Sequence, residues 1–260
     1  MQKSVMKVNC FLLMTVILAA ALLYGCAGAD TAQAYAQATQ ALQALAQQEV
    51  LAYNCQTPDA AVAFRVYRVG SDWYQVIPAD GGGTFERLYY QGRLYSRAPY
   101  AGDTAWHGGD STQGPLPGFS QLSDLPQSDC FSGIEQADDT QRFFYAKAYL
   151  RTLKKQGIAA TQKTAENMPD NETAVLMYQL AQQTTYTAGE LAFTMQEGRL
   201  TQVVQTVTTR QPSIIPGSES GFALSKEKSD VENIVSVQVL EMEPVQIEQM
   251  LADAAEELPD

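Results

Sequence analysis

His107 is the only histidine in the chain, and its surroundings decide which nucleophilic chemistry is open. A serine hydrolase needs a serine, a base and an acid held in one hydrogen-bonded line. Only His107 could serve as that base. It stands in Trp106-His107-Gly108-Gly109, and His-Gly-Gly is the kind of run that forms an oxyanion loop in some esterases. The Gly-x-Ser-x-Gly elbow that would present the serine is missing, because Gly217-Ser218-Glu219-Ser220-Gly221 has glutamate at its centre. His107 is therefore read as a surface loop residue. The pairs Asp138-Asp139 and Glu256-Glu257 are read as solvated surface, since adjacent residues point apart on a strand or a helix. No residue is assigned a catalytic role, and an enzyme is not expected. No metal site or cofactor is expected either. The chain has no CxxC, no phosphate loop and no dinucleotide fingerprint. Asp80-Gly81-Gly82-Gly83 lacks the alternating acids of a calcium loop. Asn171-Glu172-Thr173 matches a glycosylation sequon by coincidence.

Cys26 is the residue with the clearest chemical context. Lys3 and Lys7 precede an apolar run from Phe11 through Leu12, Leu13, Val16, Ile17, Leu18 and Leu22, which closes on Leu22-Leu23-Tyr24-Gly25-Cys26. A positive start, a short apolar core and a small residue before the cut describe a secretory signal over residues 1–25. The cysteine after the cut resembles the lipobox of bacterial lipoproteins. That resemblance implies a Cys26 thiol carrying diacylglycerol, residues 26–30 as a short tether, and an extracytoplasmic chain anchored to the cell membrane. The alternative is an uncleaved anchor helix. Phe11 to Gly25 falls short of the ~20 apolar residues that span a bilayer core. Two acyl chains suffice for stable anchoring, because each buried methylene contributes ~0.8 kcal/mol.

Removing residues 1–25 takes away two lysines and no acid, so the formal charge moves from −12 to −14. Such acidity argues against nucleic acid as a partner, since phosphates need Lys and Arg to neutralise them. It also argues against adsorption on anionic lipid, which leaves anchoring to the acyl group. Of the four cysteines, Cys10 leaves with the signal and Cys26 is acylated. Cys55 and Cys130 remain as an even pair in an exported protein and are expected to form a disulfide. It would close a loop of 75 residues and constrain the unfolded chain by ~4 kcal/mol. Two buried free thiols are the alternative.

Hydrophobic periodicity then divides residues 31–260 into elements of one domain. Thr31 to Tyr53 reads as a helix with Tyr35, Ala38, Leu42 and Leu45 on one face. From Ala60 the period becomes two, predicting four strands over 60–69, 73–77, 84–90 and 93–98 with glycine-bearing turns. Residues 99–133 hold Pro99, Pro115, Pro117 and Pro126 and read as a long irregular loop, with Tyr100, Trp106 and Phe119 as candidate exposed aromatics. A helix is expected over 140–156, stopped by Gly157. Strands are expected over 157–165, 172–181, 188–196, 199–210 and 231–242, a loop over 211–229, and a helix over 245–257 started by Pro244.

The expected fold is α+β: a large curved antiparallel sheet with helices packed on one face. The repeated strand–X-Gly–strand units Tyr90-Gln91-Gly92-Arg93-Leu94-Tyr95 and Met195-Gln196-Glu197-Gly198-Arg199-Leu200 stand behind the lipobox. In this pattern the chain resembles the lipoprotein-carrier superfamily, the LolA/LolB-like and LppX-like half-barrels, over Thr31 to Met242. The resemblance implies binding or carriage of a hydrophobic ligand, a lipid or a lipoprotein. Candidate lining residues are Phe64, Val66, Trp73, Val76, Leu176, Tyr178, Phe193 and Leu200, for each of which ordinary core packing is the competing assignment. The alternative function is a cell-envelope interaction or structural lipoprotein with a packed core and a protein partner. An unfilled cavity between sheet and helices favours the first, and a filled core the second.

Overall fold

The computed structural model describes residues 31–58, 62–79, 81–108, 116–120, 122, 125–217 and 221–259. Cys26 and segments 1–25 and 26–30 lie outside them. The described residues form eleven strands in one open antiparallel sheet, not closed into a barrel, and four helices. The α+β class expected from the sequence is the class found. Strand order is β6-β5-β4-β3-β2-β1-β11-β10-β9-β8-β7. Strands β1 (Val50–Gln56), β2 (Phe64–Val69), β3 (Asp72–Pro78), β4 (Thr84–Tyr90), β5 (Arg93–Ala98) and β6 (Asp103–Gly108) form one meander. Strands β7 (Phe131–Ala137), β8 (Thr140–Tyr145), β9 (Thr185–Gln196), β10 (Arg199–Pro216) and β11 (Phe222–Val239) form the other half. A four-residue ladder, Tyr53↔Val239 to Gln56↔Ser236, joins the two halves.

Several turns follow the expected chemistry. Gln91-Gly92 and Glu197-Gly198 both hold φ near +50° at the first residue and near +80° at the second. Two-residue hairpin turns need positive φ at both positions, and glycine supplies the second without steric cost. Helix α1 (Thr31–Ala46) buries Tyr35, Ala38, Leu42 and Leu45, the predicted face. It ends sooner than expected, and residues read as its last turns form β1. That strand is buried on both faces, with Leu51, Tyr53 and Cys55 on one side and Ala52 on the other. A strand buried on both sides has no polar alternation to announce it.

The stretch 140–183 departs most from expectation. Residues 140–145 are β8, whose Gln141, Phe143 and Tyr145 alternate inward. Helix α2 (Lys147–Asn167) then runs through Gly157 rather than ending there. Residues 172–183 form helix α3 (Glu172–Gln183), not a strand. Asn171 caps it, accepting a hydrogen bond from the Ala174 N–H at 3.1 Å, so the sequon match is a helix start. Residues 211–229 are also corrected: 211–216 and 222–229 are strand, the outer part of a β10–β11 ribbon. Apart from the buried Pro212, these residues are half-buried or exposed, so no apolar alternation marks them as strand.

Helices α1, α2 and α3 lie on one face of the sheet, and helix α4 (Pro244–Glu256) covers the other over β1 to β4. The first face carries a continuous core from Phe64, Val66 and Trp73 across Tyr53 and Val237 to Phe143, Phe193 and Leu200. The predicted loop 99–133 contributes β6 and then returns to this core. Phe119 packs edge-on against Tyr53 at 5.1 Å, and the Tyr53 hydroxyl donates to the Pro117 carbonyl at 2.8 Å. Between them Gly118 adopts φ +81°, and a Cβ there would stand 2.5 Å from Cys55 Sγ and 3.1 Å from Val237. Cys55 and Val237 are register partners, so the loop presses on the joint between the two halves.

The second face holds Ala52, Tyr67, Tyr74, Leu88 and Trp106 against Ile247, Leu251 and Ala254 of α4. Its polar centre is Glu86, 7 % exposed. Glu86 accepts from Tyr74 at 2.7 Å, Thr84 at 2.6 Å and Arg97 at 2.7 Å. Burial opposes its ionisation, but these hydrogen bonds and the Arg97 charge outweigh it and hold the carboxyl below its usual range. Arg97 also pairs with Glu257 at the end of α4 and lies 4.4 Å from the Trp106 ring centroid.

Two outcomes follow. Gly118→Val should lower stability by about 2–4 kcal/mol, through left-handed strain and overpacking, read as a shift in the urea midpoint. A carboxyl whose pKa is depressed by folding contributes stability above its unfolded value near ~4.3, lost as pH falls through the folded value. Glu86→Gln should therefore cost about 2 kcal/mol at neutral pH and flatten the loss of stability below about pH 4, measured by denaturation from pH 2 to 7.

Candidate functional site

One of two hollows in the first face lies under the α2–α3 hairpin. Helix α2 leaves β8 and packs over β9, and α3 returns beside it over β10 and β11. Between helices and sheet is a hollow of about 410 Å³. Leu153, Ile158, Met177, Leu180 and Ala181 form its apolar roof, and Tyr186, Gln205, Val207, Thr209, Gln211 and Asn233 its mixed floor. Lys154 is the one charged side chain among the described residues that line it. Gly157 sits where α2 passes Tyr186, and a Cβ there would be 3.3 Å from the Tyr186 hydroxyl. Glycine inside a helix costs roughly 0.5–1 kcal/mol relative to alanine, and here it brings the helix close to the floor.

The floor's polar groups are largely held by the protein itself. Gln205 Nε2 donates to the Tyr145 hydroxyl at 2.7 Å. Thr184 donates to the Leu180 carbonyl at 2.7 Å, and Asn233 Nδ2 to the Val207 carbonyl at 3.4 Å. Burial raises the pKa of the Tyr145 and Tyr186 hydroxyls, so both remain protonated donors at neutral pH. The chamber suits a mainly apolar molecule with a few hydrogen-bonding groups. A second hollow, of about 490 Å³, lies between α1 and Phe119, Leu122 and residues 125–127, with Leu42 and Leu125 among its walls.

None of the eight residues proposed from the sequence as ligand lining borders either hollow. Phe64, Val66, Trp73, Phe193 and Leu200 are at most 6 % exposed and belong to the packed core of the first face. Val76 points to the opposite face, beside the α4 core. Leu176 and Tyr178 lie on α3, next to the lining residue Met177, and are buried and half-buried. The sequence reading missed the α2–α3 hairpin because it stopped α2 at Gly157 and read α3 as a strand. The overlooked signal was an Asx cap at Asn171, with Glu172 in the first turn and Leu176 and Leu180 four apart.

The other chemistry-bearing residues fall apart in space or stand alone. The His107 side chain is exposed and bonds to Asp103, at 2.9 Å, within its own strand. No group of three His, Cys, Asp or Glu that could hold a metal occurs among the described residues. None of their helices is long and apolar enough to cross a membrane.

Cys55 and Cys130, expected from the sequence to form a disulfide, are both free in this structure. Cys55 lies on β1 and Cys130 just before β7, five places apart in the strand order, and a disulfide requires Cα atoms within ~7 Å. Burial pushes the Cys55 thiol up to about 12. Cys130 is half-buried, and burial together with Asp129 raises its pKa as well.

No known family model matches the chain, and no curated protein matches it.

The free thiols give a direct test. Under native conditions an alkylating reagent should modify Cys130 and spare Cys55, and both should react after denaturation without reductant. An intact mass showing neither modified in the denatured, unreduced sample would restore the disulfide.

Proposed function

We propose that this chain is an extracytoplasmic lipoprotein, anchored through an acylated Cys26, that holds a hydrophobic or amphipathic ligand beneath the α2–α3 hairpin and performs no catalysis. The observation that carries the reading is the hollow of about 410 Å³ between helices and sheet, within the ~300–1,000 Å³ range of small-molecule sites. Its apolar roof would take an alkyl chain, and Lys154 at its edge would meet an anionic or strongly polar group. An open antiparallel sheet roofed by helices also supports the resemblance to the lipoprotein-carrier half-barrels.

The second reading is an envelope lipoprotein that binds a protein partner. The packed core around Phe64, Val66, Trp73, Phe193 and Leu200 favours it. Its predicted surface is reduced, because Trp106 and Phe119 are buried and only Tyr100, at 54 %, is exposed.

Native mass spectrometry of the mature full chain, before and after organic extraction, separates the two. The expected result is an acyl mass on Cys26 and an additional apolar molecule that extraction removes. Ala181→Phe, which fills the hollow, should lose that molecule while keeping the fold. An apo mass with no uptake of added phospholipid or fatty acid would reject the ligand reading.

A further inference from the structure

The β10–β11 ribbon outruns the rest of the sheet. On one side the ladder to β9 stops at Arg210↔Thr185, and on the other the ladder to β1 stops at Gln56↔Ser236. Beyond Arg210 the two strands continue alone, through Gln211↔Ser229 to Pro216↔Phe222. Six residues at ~3.3 Å each carry the end about 20 Å past β9. The turn between α2 and α3 rises to the same height, because Gly221 stands beside the Glu172 carboxylate. Lys228 Nζ ties the ribbon to the end of α3 by donating to the Gln183 carbonyl at 2.6 Å.

This end is capped by large apolar side chains in water. Phe222 is 70 % exposed, Met168 53 %, Ile214 45 % and Ile215 41 %. Ile214 and Ile215 are consecutive strand residues paired with Leu224 and Ala223, so they project from opposite faces of the ribbon. Apolar groups on both faces of a narrow tip are not covered by docking one face on a partner. A fluid apolar phase covers both.

The chain's own entry point lies at the same end. Tyr35, in the first turns of α1, packs on Phe131 at 4.8 Å and Phe143 at 5.3 Å. These residues mark the start of β7 and the end of β8, toward the ribbon. Ala46, at the other end of α1, accepts a hydrogen bond from Arg68 near the opposite edge of the strands. Thr31 therefore leaves the fold on the ribbon side, and five further residues to Cys26 span at most ~18 Å.

We infer that the end formed by Ile214, Ile215, Phe222 and Met168 dips into the membrane that holds Cys26, to the boundary between headgroups and acyl chains. At that depth the unpaired ribbon edges still meet water, as exposed backbone requires. A second contact beside the acyl group fixes the domain's orientation, with the α2–α3 hairpin against the bilayer. The inference rests on the anchored-lipoprotein reading, and the experiment reads the two separately.

The mature full chain carrying Cys130→Ser and Phe222→Cys is labelled at 222 with an environment-sensitive fluorophore. A matched chain carries Ser71→Cys, in the exposed β2–β3 turn at the far end. Each is mixed with phosphatidylcholine vesicles whose acyl chains are brominated. The intact mass reports whether Cys26 is acylated, and a missing acyl group defeats the anchor reading alone. The expected result is a blue-shifted label at 222, quenched by bromine several-fold more than the label at 71. Equal quenching at the two positions overturns the inference. Protection of 222 from an aqueous quencher without bromine quenching also overturns it, and points to a protein partner.

Discussion

The continuity of the sheet depends on the four-residue ladder between β1 and β11. Among the described residues, the six strands on one side and the five on the other are paired through no other strands. Such a short ladder between residues about 180 apart carries a large loop-closure cost, which packing on its two faces must offset. On one face the Pro117–Phe119 segment presses on Cys55 and Val237, the paired residues of the joint. On the other, α4 follows directly from β11 and packs over β1 and β2, and the Leu240 N–H bonds to the Ala52 carbonyl at 2.8 Å. Gly118 matters for the same reason: no other residue type lets the loop approach this closely at φ +81°.

The distribution of filled and unfilled space follows from that joint. Where the 116–122 segment and α1 lie over the sheet, aromatic rings interlock: Tyr35, Phe131, Phe143 and Phe193 form a connected set with centroids 4.8–5.9 Å apart. Farther along the long strands, α2 and α3 bridge a floor of threonine, glutamine and asparagine. Amide and hydroxyl side chains bonded to one another do not draw an apolar roof down onto them, so space remains. The cysteines obey the same geometry. Cys55 is sealed under Gly118 while Cys130 lies across five strands at the far edge.

The two carboxylate-bearing ends of α4 tie a polar cluster to the helix. Glu243 at its start caps the helix, and Glu257 just past its end pairs with Arg97. Through Arg97 the helix is coupled to Glu86, Tyr74 and the Trp106 ring. The Glu86 carboxylate, the Tyr74 hydroxyl and the Arg97 guanidinium are paired within the cluster or with α4, while the buried Trp106 Nε1 has no hydrogen-bond partner among the described residues.

Local pattern alone carried the α+β class, the Gln91-Gly92 and Glu197-Gly198 turns, the apolar face of α1 and the Pro244 start of α4. Each rests on interactions within a few residues: positive φ at glycine, a 3.6-residue stripe, a proline at a helix start. The acyl anchor expected before Thr31 likewise rests on contiguous residues. What tertiary structure decided was β1, β8, the α2–α3 hairpin and the reach of the β10–β11 ribbon. Val50–Gln56 is a strand because both its faces are buried by segments distant in sequence, and Gly157 lies within α2 where the helix passes the Tyr186 hydroxyl. The candidate hollow was illegible for the same reason. Its walls come from Pro58 and from two helices and three strands spread over 153–233, and only their packing shows which apolar residues fill the core and which border open space.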